Sequence, residues 1–169
     1  MQETLFFRFH ELILLVYLIS IFCYFYDFIT KNHRIRQVGF ITLGIVWVLQ
    51  TISLSIYINM YRHALLGNIF DVLFVLTWLI ISISIVISVI KQLNISIFLF
   101  NLIGFILLAL TTYQPIQGQA EGEQLRLINE LLFVHIGLAI VSYALFAFAF
   151  VNAILYLIPV SYTHLRAHE

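Results

Sequence analysis

Long apolar runs dominate the chain, and polar residues gather in the short intervals between them. A helix needs about 20 apolar residues to cross roughly 30 Å of hydrocarbon at about 1.5 Å per residue. Five segments reach that length: 12–29, 38–58, 72–90, 95–113 and 131–158. Within them the only formal charge is Asp27, near the end of the first, and the fifth carries His135. The runs are too long, and alternate too little, to be strands of a membrane barrel. The pattern predicts an all-α, polytopic transmembrane bundle of five spanning helices, with residues 1–158 forming one domain and no internal repeat.

Composition strengthens this reading. The chain is 63% hydrophobic and 9% charged, whereas soluble domains run at roughly 45–50% apolar and about 25% charged. So few polar residues cannot coat a globule, and the lipid bilayer is the solvent that fits. Net charge is zero and the eight Lys and Arg are scattered, so no nucleic-acid footprint is present. The single cysteine, Cys23, excludes an intramolecular disulfide and a CxxCH haem attachment, and reads as a packing residue. Residues 1–11 lack the features of a cleaved signal peptide, so the first run is expected to remain in the mature protein.

Orientation follows the basic residues. Lys31, Arg34 and Arg36 crowd the first connection and Lys91 lies in the third, against Arg8, Arg62 and Arg126 on the other side. The dense cluster beside the first helix places that connection in the cytoplasm and the N-terminus outside, in a multi-pass protein of the cell membrane. Segments 59–71 and 114–130 are then external. At residue 159 the character changes to PVSYTHLRAHE, which resembles translated adaptor sequence and is expected to be a non-native tail, with the natural protein continuing differently. Metal binding by His164 and His168, four residues apart, is the weaker reading of that string.

No GxSxG, HExxH or phosphate-cradling glycine loop occurs, so enzyme chemistry is not expected. Polar groups at membrane depth are the functional candidates. As a helix, segment 131–158 would measure roughly 42 Å and overshoot the hydrocarbon, which sets His135 near the external surface. Ala139, Ser142, Phe146, Ala149 and Ala153 share its face. Small residues favour close helix packing, so His135 is expected to point into the bundle. There it is either a metal or haem-iron ligand or a histidine hydrogen-bonded to a neighbouring helix. His10 and His63 are expected on the same side, as second axial ligands or as interfacial residues without a role. His33 belongs to the basic cluster, and Asp27 reads as a structural residue at a partly solvated interface. Asp71 and Asn68 read as caps of the third helix, with pairing to Arg62 the weaker reading of Asp71, and Trp47 and Trp78 line a groove for a planar ring, face lipid or pack between helices.

Several strings resemble a known family. LLFVHIGLAIVSYALFAFAFVNAILYLI, at 131–158, resembles the His-bearing helix of the cytochrome c assembly proteins, and GNIFDVLFVLTW, at 67–78, is similar to their loop-to-helix segment. Asp71 and Val72 stand there in place of the usual Glu and Ser. YLISIFCYFYDFITKN at 17–32, IVWVLQT at 45–51 and TYQPIQ at 112–117 resemble the HemX type within that family. The resemblance implies a haem-handling membrane protein of eight helices with His135 as an external axial ligand to non-covalently bound haem. For the HemX type it implies a negative effector of the level of glutamyl-tRNA reductase, at the first committed step of haem synthesis. The alternatives are a component of a cytochrome c synthetase, working with cytochrome c assembly partners, and a scaffold without cofactor. The tryptophan-rich WWD-type loop and second external histidine of the synthetases do not occur in this sequence.

The orientation has a direct test. In a Cys23→Ser background, a cysteine replacing Gln117 is expected to react with a membrane-impermeant maleimide in intact cells, and one replacing His33 only after permeabilisation. The opposite labelling pattern inverts the topology.

Overall fold

A computed structural model describes residues 2–60, 69–90, 94–113 and 130–166, with side chains described for 8–59, 72–90, 95–113 and 134–158. Its helices are α1 (Gln2–Thr30), α2 (His33–Met60), α3 (Ile69–Ile90), α4 (Asn94–Thr112) and α5 (Glu130–Arg166), with no strand among the described residues. Each contains a stretch long and apolar enough to cross a bilayer. The chain is therefore a multi-pass membrane bundle, as the runs of apolar sequence predict. α1 starts ten residues before the apolar run at 12–29, so His10 lies inside the helix instead of preceding it. α5 continues past Pro159 to Arg166, and His164 lies on that extension.

Helices α1 to α4 form a ring in which α1 packs on α2 and α4, and α3 on α2 and α4; α5 lies outside it against α3 and α4. The α1–α2 connection is two residues long. Lys31 adopts a left-handed φ of 51° and its N–H donates to the Asp27 carbonyl at 2.7 Å. This is the single-bond left-handed cap that usually employs glycine or asparagine. Asn32 then caps α2, its side-chain oxygen accepting from the Arg34 N–H at 3.1 Å. So sharp a turn folds α2 directly back along α1. Asp27, expected at a partly solvated interface, is instead 2% exposed, the buried member of a last turn whose Phe28 and Ile29 are exposed. Tyr24 lies within electrostatic reach of both Asp27 and Arg36.

The polarity of the bundle is inverted relative to a soluble protein. Leu15, Phe22, Ile41, Val89 and Phe146 are exposed, whereas Ser20, Gln50, Ser53, Thr77, Ser84, Ser96 and Asn101 are buried. Hydrocarbon offers no hydrogen bonds, so polar groups turn inward and find partners there. Asn101 on α4 accepts from the Tyr17 hydroxyl of α1 at 2.9 Å. Its amide nitrogen donates to Ser84 Oγ of α3 at 2.9 Å and to the Ile97 carbonyl at 2.8 Å. Three helices thus meet at one side chain. Tyr17 reaches Asn101 by crossing Gly104, where an added Cβ would lie 2.6 Å from the phenolic oxygen and 2.9 Å from Ile80 Cγ2. A similar close approach joins α1 to α2, where Ser20 Oγ donates to the Gly39 carbonyl at 2.9 Å.

Gly104→Ala is expected to destabilise the bundle by about 1–3 kcal/mol through overpacking. Gly137→Ala, where a Cβ meets nothing within 4 Å, is expected to leave stability unchanged or raise it by up to about 1 kcal/mol through helix propensity. Thermal melting of the two variants in detergent should therefore move in opposite directions or differ plainly in size.

Candidate functional site

The tryptophans resolve into a reciprocal clasp between α2 and α3. Trp47 Nε1 donates to Ser82 Oγ at 2.9 Å, and Trp78 Nε1 donates to Thr51 Oγ1 at 2.9 Å. Each hydroxyl sits one turn beyond the partner indole, and each is anchored to its own helix: Ser82 to the Trp78 carbonyl, Thr51 to the Trp47 carbonyl. The rings stack with centroids 6.2 Å apart and planes 26° from parallel. The spacing Trp-x-x-x-Ser and Trp-x-x-x-Thr on antiparallel helices produces this symmetry. Both indole N–H groups are thereby used, and the rings pack between helices, one of the roles the sequence leaves open. A shallow apolar groove beside the clasp is lined by Trp47 itself together with Ile41, Gly44, Ile45, Val48 and Ile85.

Toward the start of α1 the core becomes polar. His10 is 8% exposed, its Nε2 lies 3.2 Å from Ser53 Oγ of α2, and its ring rests 5.5 Å from that of Phe74 on α3. One turn further in on α2, Gln50 is fully buried. Neither its Oε1 nor its Nε2 has a hydrogen-bond partner. Sequence reasoning passes over Gln50 because it lies in an uncharged run. The signal that could have found it is the spacing Leu43, Val46, Gln50, Ser53, one face of a helix at intervals of three and four. At the mouth of this region Arg8 and Glu11 pair with each other at 3.0 Å.

His135 is placed differently from the expectation. It is exposed, as are Ser142, Ala149 and Ala153 on the same face, and Phe146 is 71% exposed. The packed face of α5 carries Ile140, Ala144 and Val151. Phe148 meets Phe100 of α4 edge to face at 5.3 Å, and Asn152 Oδ1 accepts from Ser96 Oγ at 2.9 Å. At 100° per residue this face is about 180° from the one bearing His135. Ala144, bulky neighbours and one amide dock α5, and the face carrying His135, Ala149 and Ala153 stays open. His135 and His10 are not brought together: His10 sits among α1, α2 and α3, whereas α5 packs on α3 and α4. Among the described residues no three or more His, Cys, Asp or Glu side chains gather as a metal site. His33 is exposed at the first turn of α2, while His63, Asn68 and His168, and the side chains of Asp71 and His164, lie outside the described residues.

Sequence comparison places the chain beside two curated proteins. It is 31% identical over 157 residues to Protein HemX of Bacillus subtilis (strain 168), an alignment covering 93% of this chain and 57% of that protein. It is 29% identical over 149 residues to Protein HemX of Brevibacillus brevis, covering 88% of this chain and 54% of that one. The chain therefore spans just over half the length of these relatives. No family model and no solved structure matches it. The likeness of the chain to the HemX type is borne out, whereas neither relative extends it to the wider cytochrome c assembly family.

The clasp is testable by a double-mutant cycle on Trp47→Leu and Trp78→Leu. Each change removes one indole, ring and N–H together, and leaves an apolar side chain. A coupling of roughly 0.5–1.5 kcal/mol is expected for paired aromatic rings in contact. Additive losses in thermal or denaturant unfolding would show that the two indoles act separately.

Proposed function

Because the chain is of the HemX type, we propose that it belongs to the membrane arm of haem biosynthesis, acting as a negative effector of the level of glutamyl-tRNA reductase. The observation that carries this reading is the alignment over 157 residues with Protein HemX, which runs through nearly all of the five-helix bundle. Several polar groups of the interior join helices, Asn101 and the Trp47–Trp78 pair above all, which supports a structural part for the bundle.

If haem is held, His135 is the residue proposed to hold it. Its exposed imidazole can supply one axial nitrogen. The described residues fit haem in that respect alone, because they gather no set of ligating side chains around His135, and the His10 nitrogen nearest α2 is engaged by Ser53. Enclosure of the macrocycle and any second ligand must come from elsewhere in the whole protein. Bound haem supplies redox and ligand-sensing chemistry, and the part assigned to this chain is to present one imidazole on the open face of α5.

Deletion of the gene is expected to raise the amount of glutamyl-tRNA reductase several-fold on quantitative immunoblots, with re-expression restoring the lower level. An unchanged amount removes the effector reading and leaves cytochrome c assembly or scaffolding as the role. In the purified full-length protein, a Soret band that weakens or shifts in His135→Ala supports the axial-ligand assignment. An identical band in the variant sinks that assignment, and no band in the wild type removes haem.

A further inference from the structure

We infer that the outer face of α2 holds one anionic phospholipid lengthwise, its phosphate against Lys31 and Arg34 at the α1–α2 turn and an acyl chain in the apolar groove at Trp47. The headgroup end rests on charge. Lys31 and Arg34 are exposed, and neither side chain is in an ion pair with a described residue. The first turn of α2 contains no acidic residue, and Asp27, at the end of α1, is buried. Cations at a membrane surface without an internal counter-ion attract anionic headgroups. The Arg34 guanidinium can meet two phosphate oxygens at once, and the positive end of the α2 dipole favours the same charge.

The tail end rests on alignment. At 100° and 1.5 Å per residue, Ile41, Ile45 and Val48 lie within about 40° of Arg34 around α2 and roughly 10–21 Å further along its axis. All three are exposed, and they line the groove together with Gly44, Trp47 and Ile85. Gly44 keeps the groove open, since a Cβ there would meet nothing within 4 Å. Trp47 presents only the apolar part of its ring, because its N–H is engaged by Ser82. The lining therefore offers no hydrogen bond to a peptide or to a carboxylate-bearing ring, and it suits a hydrocarbon chain. Two unpaired cations followed on the same helix face by an apolar groove reproduce the order of charge and hydrocarbon along a single phospholipid.

Fluorescence quenching by phospholipids brominated on their acyl chains tests this, because bromine quenches an indole on contact. Trp78→Phe leaves Trp47 as the single tryptophan of the full chain. In phosphatidylcholine vesicles, a minor fraction of brominated phosphatidylglycerol is expected to quench Trp47 several-fold more than the same fraction of brominated phosphatidylcholine. Lys31→Gln combined with Arg34→Gln is expected to bring the two lipids to parity. So is salt near 1 M, where the Debye length falls to about 3 Å, and this arm needs no change to the turn that orients insertion. Gly44→Leu, whose side chain enters open space, is expected to fill the groove and lower quenching by the brominated phosphatidylglycerol. Equal quenching by the two lipids at low salt, including none by either, overturns the site. Selectivity that survives high salt, or full quenching in Gly44→Leu, overturns it as well.

Discussion

The Asn101 side chain has a donor end and an acceptor end, and it sits in the interior of a bundle whose surroundings contain no competing hydrogen-bond partner. In water such a group contributes little net stability, since the unfolded chain is equally well solvated. In a membrane the balance differs, and double-mutant measurements on membrane helices put such bonds at around 0.6 kcal/mol and up to about 1.7. What Asn101 supplies beyond energy is register. By binding Tyr17 on α1 and Ser84 on α3 at once, it fixes the heights of three helices relative to one another. Gly104 permits this by leaving room for the Tyr17 hydroxyl, and Phe105 closes the other side of the ring edge to face at 5.9 Å. The Trp47–Trp78 clasp then sets the remaining helix, α2, against α3.

These interactions explain why the number of helices is legible in the sequence while their facing is not. Spanning length depends on total apolarity, which is plain in 72–90 and 95–113. Facing in a soluble protein follows from an apolar stripe, but here both sides of each helix are apolar and the distinguishing signal is a sparse set of Ser, Thr, Asn and Gln. As ordinary members of uncharged runs, Gln50 and Asn101 mark the interior only through spacing, as in Leu43, Val46, Gln50 and Ser53, which their composition does not advertise. The fifth helix shows the same difficulty. Alanines at 139, 149 and 153 suggest a packed face, yet bulky Ile140, Phe148 and Val151 fill the contact with α3 and α4, leaving His135 on the open side. Small residues allow close approach and do not compel it.

The candidate site is legible to a similar degree. His135 is identifiable as a histidine near one end of a spanning helix, and the HemX likeness is visible in short strings that the aligned relatives support. The pairing of His10 with Ser53 is not, because it depends on α1 beginning as a helix well before its apolar run. The burial of Asp27 escapes the sequence for a related reason: a two-residue turn leaves the end of α1 close to the start of α2, where a longer connection would hold the charge in the interface.

That turn bears on how the protein is made. With only Lys31 and Asn32 between them, α1 and α2 have no loop with which to wait on opposite sides of the bilayer. The short turn lets them enter lipid as a hairpin that pairs along the Ser20–Gly39 contact. The basic residues at the bend then travel with the leading or the trailing edge of a single unit, and the orientation of every later span is inherited from that one event.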